Sequence, residues 1–300
     1  MQRKNKKIIR LQTSDCQIIQ LHSSRFQDNH LKSFSLKSAS LMVFLLLLLA
    51  SCQPTGTARL MSYNIRNGIG MDNQRDLQRV ADVICAYAPD VVAVQEVDSM
   101  TARSKGRDVL GELATLTGMI PVYAPAIDYD GGKYGVGILC RQQPLSVVRH
   151  ALPGREEQRM VVAAEFPDYV FACTHLSLTE ADRMLSLPIL QEVASRIPSK
   201  PFYLAGDFNA EPNEDFIRAL TDSFTILTDT TVRTFPADVP DITIDYIVCY
   251  NKGQQVNGST GQLVNSSTSQ QLNRRTLHVD LLSIASDHRP VCIDINYRKQ

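Results

Sequence analysis

A chain of 300 residues, 44% of them hydrophobic and 21% charged, is long enough to bury one large core. Its 31 basic and 31 acidic side chains balance, but eight of the basic and only two of the acidic ones fall in residues 1–51, so the remainder carries a net charge of about −6. That sign argues against a nonspecific polyanion binder, which would show a basic stripe.

Residues 1–40 are polar and basic and show no helical or strand period. Leu41-Met42-Val43-Phe44, five leucines and Ala50-Ser51-Cys52 follow. This apolar run is too short for a membrane span and right for the core of a secretory signal. Leu49-Ala50-Ser51-Cys52 resembles a bacterial lipobox, in which Cys52 is lipidated and becomes the new N-terminus. The alternative is a plain signal peptide or membrane anchor with Cys52 incidental. The expected organisation is a leader over 1–51, an anchor and short linker over 52–58, and a single α/β domain over 59–300. The expected location is an exported protein held by lipid on a bacterial membrane, at the periplasmic or outer-membrane face.

Beyond the linker, apolar strands alternate with helical patterns. A strand is predicted over 58–65 and a helix over 76–88, where Leu77, Val80, Ala81, Ile84 and Cys85 recur at helical spacing. Pro89-Asp90 stops that helix and 91–95 reads as a buried strand. A short helix over 109–117 closes on Gly118. Strands near 121–127 and 134–141 flank Asp130-Gly131-Gly132, which is hairpin chemistry. Further strands are predicted at 147–150, 161–166 and 169–175. A helix over 179–196 is expected to start on a Thr179 cap and to meet a kink at Pro188. A strand at 202–206, a helix at 213–220 and strands at 243–250, 277–284 and 289–295 complete the pattern. Residues 253–273 are rich in Gln, Asn, Ser, Thr and Gly and read as a long loop or hairpin near the site. Cys85, Cys140, Cys173, Cys249 and Cys292 sit inside apolar runs with no metal-ligand spacing, as small buried hydrophobes do. This order of elements suggests two mixed β-sheets packed face to face with helices outside.

Six polar clusters close these apolar runs: Asn64-Ile65-Arg66, Gln95-Glu96, Thr174-His175, Gly206-Asp207-Phe208-Asn209, Ile244-Asp245 and Ser286-Asp287-His288. Together they suit metal-assisted cleavage of a phosphoester. That chemistry needs a hard divalent cation on oxygen ligands, a base for water, and donors to the phosphorane. Glu96 is the main metal ligand in this reading, with Asp287 as a second. Asn64 offers its amide oxygen to the metal or its nitrogen to the phosphate. Asp207 and Asn209 close a strand, and Asn209 can donate to a phosphate oxygen. His288 can act as general base if its other nitrogen is held, and Asp245 is the candidate that holds it. His175 would donate to the developing phosphorane or the leaving group. Arg103 and Lys133 fall in loops where they would contact substrate phosphate or remain solvated charges. His150 and His278 are read as structural, and the run Leu152–Arg159 is given no chemistry.

Asn64, Glu96, His175, Asp207, Asn209, Asp245, Asp287 and His288, in this order, resemble the motifs of the endonuclease/exonuclease/phosphatase superfamily, and Tyr134-Gly135-Val136-Gly137-Ile138-Leu139 resembles its mid-chain strand. The resemblance runs from Arg59 to about Asn296. It implies an α/β fold, a four-layered sandwich of two mixed sheets with helices outside, and a site where loops gather at one end of both sheets. It also implies Mg²⁺ or Mn²⁺ as cofactor and in-line attack of water on a phosphoester, with His288 serving as base or as phosphate contact. Abasic-site endonucleases of this superfamily carry an acid two residues after the first Asn, where this chain has Arg66. The expected substrate is a small phosphoester or a lipid head group, cleaved by a monomer that meets the membrane through its N-terminal lipid. An exported nuclease is the alternative, disfavoured by charge, and a non-catalytic binding protein on the same scaffold is the third reading.

Overall fold

The computed structural model describes residues 55–251 and 284–299. β1 (Thr55–Asn64) leads through a 3-10 turn to α1 (Leu77–Tyr87), β2 (Val91–Ser99) and α2 (Val109–Thr117). A hairpin of β3 (Ile120–Tyr129) and β4 (Gly132–Cys140) precedes the meander β5 (Ser146–Leu152), β6 (Arg159–Glu165) and β7 (Val170–His175). Then come α3 (Glu180–Ser195), β8 (Phe202–Asp207), α4 (Asp215–Leu220), β9 (Phe224–Ile226), β10 (Asp245–Tyr250) and β11 (Val291–Arg298).

The strands form a five-stranded sheet, β11-β1-β2-β4-β3, and a six-stranded sheet, β5-β6-β7-β8-β10-β9. β1 with β2 and β7 with β8 are parallel, and the other pairs are antiparallel. The two inner faces meet in one apolar core that includes Leu60, Ala93, Ile138, Phe171, Ala205 and Ile247. The outer face of the first sheet packs Met61, Val92 and Val94 against Val80 and Ile84 of α1 and Leu110 and Leu113 of α2. The outer face of the second packs Ala172, Leu204 and Val248 against Leu187 and Leu190 of α3 and Phe216 and Ile217 of α4. Period-two alternation in the central strands therefore feeds two cores at once, and the result is the expected helix–sheet–sheet–helix sandwich.

Local chemistry explains most element ends. Asp76 accepts hydrogen bonds from the backbone of Gln78 at 3.0 Å and Arg79 at 3.3 Å and so caps α1. Gly118 ends α2 in the left-handed region, where a Cβ would be strained. Asp76→Ala is expected to lower stability by about 1 kcal/mol with activity unchanged, measured as a shifted urea midpoint.

Several expectations need correcting. The Thr179 side chain does not cap α3; instead the Ser177 hydroxyl accepts from the Thr179 backbone N–H at 3.0 Å. The helix runs on through Pro188. Cys85 is exposed and Cys249 half-buried, so only Cys140, Cys173 and Cys292 behave as buried hydrophobes. The helical spacing placed Cys85 on the edge of the apolar stripe of α1, not at its centre. The short strand β9 was not foreseen. The leader 1–51, Cys52, the loop 253–273, His278 and nearly all of the predicted strand 277–284 lie outside the described residues. No helix among the described residues is long and apolar enough to cross a membrane.

Candidate active site

Strand register alone gathers the polar clusters. Asn64 pairs with Gln95 across β1 and β2, which sets Glu96 beside it. His175 pairs with Asp207 across β7 and β8, and Asp207 pairs with Asp245 across β8 and β10. Ser62 pairs with Val291 of β11, so the Ser286–His288 segment arrives just past the end of β1. The Ser286 hydroxyl donates to the Asn64 carbonyl at 2.8 Å and fixes that approach. Gly206 is required for the close pairing, because a Cβ there would lie 2.1 Å from the Thr174 carbonyl oxygen.

Glu96 reaches the site through a bulge. Val94 pairs with Gly137 and Val97 with Gly135, so Gln95 and Glu96 together oppose Val136 alone. Glu96 adopts φ 59°, a left-handed conformation that costs a non-glycine residue energy. Asn209, at φ 49°, turns the chain after β8 in the same region, which Asn tolerates.

The side chains form one polar network. Asn64 Nδ2 donates to Glu96 Oε1 at 3.0 Å and to Asp207 Oδ2 at 3.1 Å, and lies 3.4 Å from His288 Nε2. Glu96 and His288, from the strands on either side of β1, therefore share a neighbour, and Asp207 joins it from the second sheet. Asn64 Oδ1 accepts from the Arg66 backbone at 3.1 Å. Asp245 Oδ2 lies 3.0 Å from His288 Nδ1, and the His288 ring also packs on Phe235. His175 Nε2 lies 3.4 Å from Asp207 Oδ2. Asn209 uses its amide to donate to the Leu176 carbonyl at 2.9 Å, and its backbone N–H donates to Asp207 Oδ1. Asp287 faces Arg66 at 3.5 Å.

Charge is strongly unbalanced here. Burial, reinforced by Asp287 and Asp207 and opposed by the Asn64 amide and His288, holds the Glu96 carboxyl above its usual range. Burial alone would lower the His288 pKa, but Asp245, Asp207 and Asp287 outweigh it and hold it up at about 10. The His175 pKa is pushed down to about 4 by burial, with Asp207 opposing and Arg159 and His288 assisting. His175 is thus neutral at pH 7, while His288 is an imidazolium among carboxylates.

The residues fit a divalent cation. Four carboxylates, Glu96, Asp207, Asp245 and Asp287, converge on one small region, and ligand atoms of Asp207, Asp245 and His288 lie within 4.8 Å of one another. Asp245 Oδ1 is buried with no hydrogen-bond partner among the described residues, an acceptor left for a cation or water. The donor set is mainly oxygen, which suits a hard ion such as Mg²⁺ or Mn²⁺.

Two of the sequence candidates are not brought into this network. Arg103 is held by Asp98 through two bonds of 2.8 and 2.7 Å, and Lys133 pairs with Asp128. Conversely, Arg159 was given no role, yet it is buried at the start of β6. Glu156 and Glu157 hold its guanidinium at 3.0 Å each, and its charge acts on His175. The signal was an arginine directly before an apolar strand, which becomes informative only once β6 is known to lie beside β7.

Comparison with known proteins agrees with this architecture. The model of the Endonuclease/Exonuclease/phosphatase family matches residues 61–288. No curated protein matches the chain. A solved structure of an endonuclease/exonuclease/phosphatase from Beutenbergia cavernae is 21% identical, with a TM-score of 0.55 over 81% of this chain and 72% of its own. A family protein from Bacteroides thetaiotaomicron is 16% identical, with a TM-score of 0.57 over 81% of this chain and 99% of its own. The mannosyl-6-phosphatase Bt3783 of the same species is 16% identical, with a TM-score of 0.55 over 79% of this chain and 98% of its own. At these identities the likeness is one of fold.

Proposed function

The chain belongs to the endonuclease/exonuclease/phosphatase family, and from that premise we propose that it is a divalent-metal-dependent hydrolase of phosphoester bonds, acting by in-line attack of activated water. The observation that carries this reading is the Asn64 amide, shared within 3.0 to 3.4 Å by Glu96, Asp207 and His288 from separate strand ends. Glu96 and Asp287, with Asn64, would hold Mg²⁺ or Mn²⁺, and Asp207 offers a further oxygen. When bound, the ion neutralises phosphoryl charge and polarises the P–O bonds. His288, held at Nδ1 by Asp245, would present Nε2 to the reacting oxygens as a protonated phosphate contact, or as base once a bound cation offsets the carboxylates that hold its proton. His175 and Asn209 line the opposite wall from β7 and β8 and hold the phosphoryl group in orientation.

The proposed substrate is a small phosphoester or a lipid head group, on the ground that the acidic balance gives a polyanion no general attraction. A neighbour named as a mannosyl-6-phosphatase supports a phosphorylated small molecule. The proposed location is lipid attachment at Cys52.

The test is hydrolysis by the detergent-solubilised full chain of bis-p-nitrophenyl phosphate, sphingomyelin and plasmid DNA. Cleavage of the small diester is expected, with removal of divalent ions lowering the rate at least about 10³-fold and Mg²⁺ or Mn²⁺ restoring it. Dominant DNA cleavage would instead establish the nuclease reading.

A further inference from the structure

We propose that Tyr134 is a further substrate-contacting residue, whose phenolic hydroxyl donates a hydrogen bond to a phosphoryl oxygen in the cleft between the sheets. This inference rests on the phosphoester reading above. It begins with alternation along β4. Val136, Ile138 and Cys140 face the inner core, and Tyr134 continues their face to the sheet end where the site lies. Tyr134 pairs with Asp98, two residues past Glu96, and flanks the bulge that projects Glu96.

The ring is fixed from behind. The Arg103 guanidinium lies over the Tyr134 ring at 5.2 Å and over the Tyr129 ring at 4.4 Å. The two tyrosine rings are 6.0 Å apart. Arg103 cannot swing away, because both bonds to Asp98 anchor it, and Asp98 is fully buried and also accepts from the Thr101 hydroxyl at 3.0 Å. A planar donor pinned in this way keeps the Tyr134 ring in one orientation. This gives Arg103 a positioning task in place of direct phosphate contact.

The hydroxyl has no structural bond to make. Tyr123 donates to the Val97 carbonyl at 3.2 Å and Tyr246 to the Ala210 carbonyl at 2.8 Å. The half-buried Tyr134 makes ring contacts with Tyr129 and Arg103, and its hydroxyl makes no such bond to another described residue. The charges that act on it come from both sheets: Glu96 from β2, and Glu157 and Arg159 from the start of β6. With the alternation along β4, this sets Tyr134 at the site end of the two sheets, near Glu96 and Arg159. Burial first, then Glu96 and Glu157, raise its pKa far above that of a free phenol, so it remains a hydrogen-bond donor at any working pH. A half-buried donor held at the site end of the sheets can exchange water for an incoming acceptor, and phosphoryl oxygens are the acceptors this site is proposed to receive.

Tyr134→Phe keeps the ring and its packing and deletes only the hydroxyl. Two quantities are to be measured with Mg²⁺ present: kcat/KM for bis-p-nitrophenyl phosphate and the affinity for inorganic phosphate by calorimetry. The expected result is a fall of roughly 10- to 100-fold in kcat/KM and about 10-fold in phosphate affinity, at an unchanged melting temperature. Arg103→Met, which frees the ring, is expected to lower kcat/KM, with the additional loss from Tyr134→Phe in that background reduced. Equal kcat/KM and equal phosphate affinity in Tyr134→Phe and the wild type would overturn the proposal. A wild type that binds phosphate without cleaving any ester, with Tyr134→Phe weaker, overturns the hydrolase reading and supports the contact. A wild type that neither binds nor cleaves overturns both.

Discussion

His288→Gln is expected to lower kcat/KM by roughly 10³- to 10⁵-fold and, in the metal-free protein, to lower stability by about 3 kcal/mol. The two losses share one cause. His288 is the cation facing Asp245, and both are almost fully buried. Glutamine fills much of the space but leaves the Asp245 carboxylate buried and uncompensated beside Asp207. The pH dependence gives the sign. The folded pKa of about 10 lies above the ordinary value of 6.5, so the pair stabilises the metal-free fold fully below about 6.5 and loses that contribution as pH rises through about 10. The stability deficit of the variant should therefore be largest near pH 6 and shrink towards pH 10, measured by urea denaturation in the presence of a chelator. The activity loss should be read with saturating Mg²⁺ on protein shown to be folded. Asp245→Asn should lose activity by about two to four orders of magnitude, and the double variant little more than His288→Gln alone, because the two act as a unit. Activity within tenfold of wild type in His288→Gln would remove His288 from the chemistry.

Much of the sandwich was legible because each element is written locally. Asp76 and Gly118 mark helix ends by caps and backbone conformation, and Asp130-Gly131 marks the hairpin by its turn. The gathering of Asn64, Glu96, His175, Asp207, Asp245 and His288 was legible for a simpler reason. Each closes an apolar run, and in two facing sheets with parallel central pairs such ends fall on one side. What escaped is what depends on contacts across sheets or on a single backbone torsion. The bulge that aims Glu96 has no composition signal, since Gln95-Glu96 reads as ordinary strand. Arg159 and Tyr134 gain meaning only from the distance between β6 and β4. Arg103 and Lys133 looked available for substrate because Asp98 and Asp128, each only five residues earlier, meet them through the turn after β2 and the register of the β3–β4 hairpin, which the sequence does not spell out. No side chain caps α3: Ser177 donates its hydroxyl to Glu156 at 2.9 Å and accepts from the Thr179 backbone N–H at 3.0 Å, a turn before the helix that the Thr179 pattern does not reveal.

Glu96→Gln should separate function from stability in the opposite direction. Activity is expected to fall by at least about 10³-fold, and calorimetric affinity for Mg²⁺ or Mn²⁺ to fall by tenfold or more, since a carboxylate ligand is lost. Yet the metal-free variant is expected to be more stable than the metal-free wild type by about 1 kcal/mol. The reason lies in the surroundings. Glu96 is desolvated and stands among Asp287 and Asp207, which raise the cost of its charge, while the Asn64 amide can hydrogen-bond a glutamine oxygen at the same place. Because the folded state holds the Glu96 proton more tightly than the unfolded one, the wild type loses stability as pH rises through the acid range and the variant does not. The gap between them should therefore open with increasing pH and narrow again when Mg²⁺ is added, because only the wild type gains fully from the ion. The left-handed backbone at φ 59° is common to both, so it cancels from the comparison. A metal-free Glu96→Gln protein that melts below the wild type, with unaltered Mg²⁺ affinity, would mean that this carboxylate is a structural support at the bulge. A carboxylate tolerated at a cost to the fold, and recovering that cost only with a cation, is what a metal ligand in this position should look like.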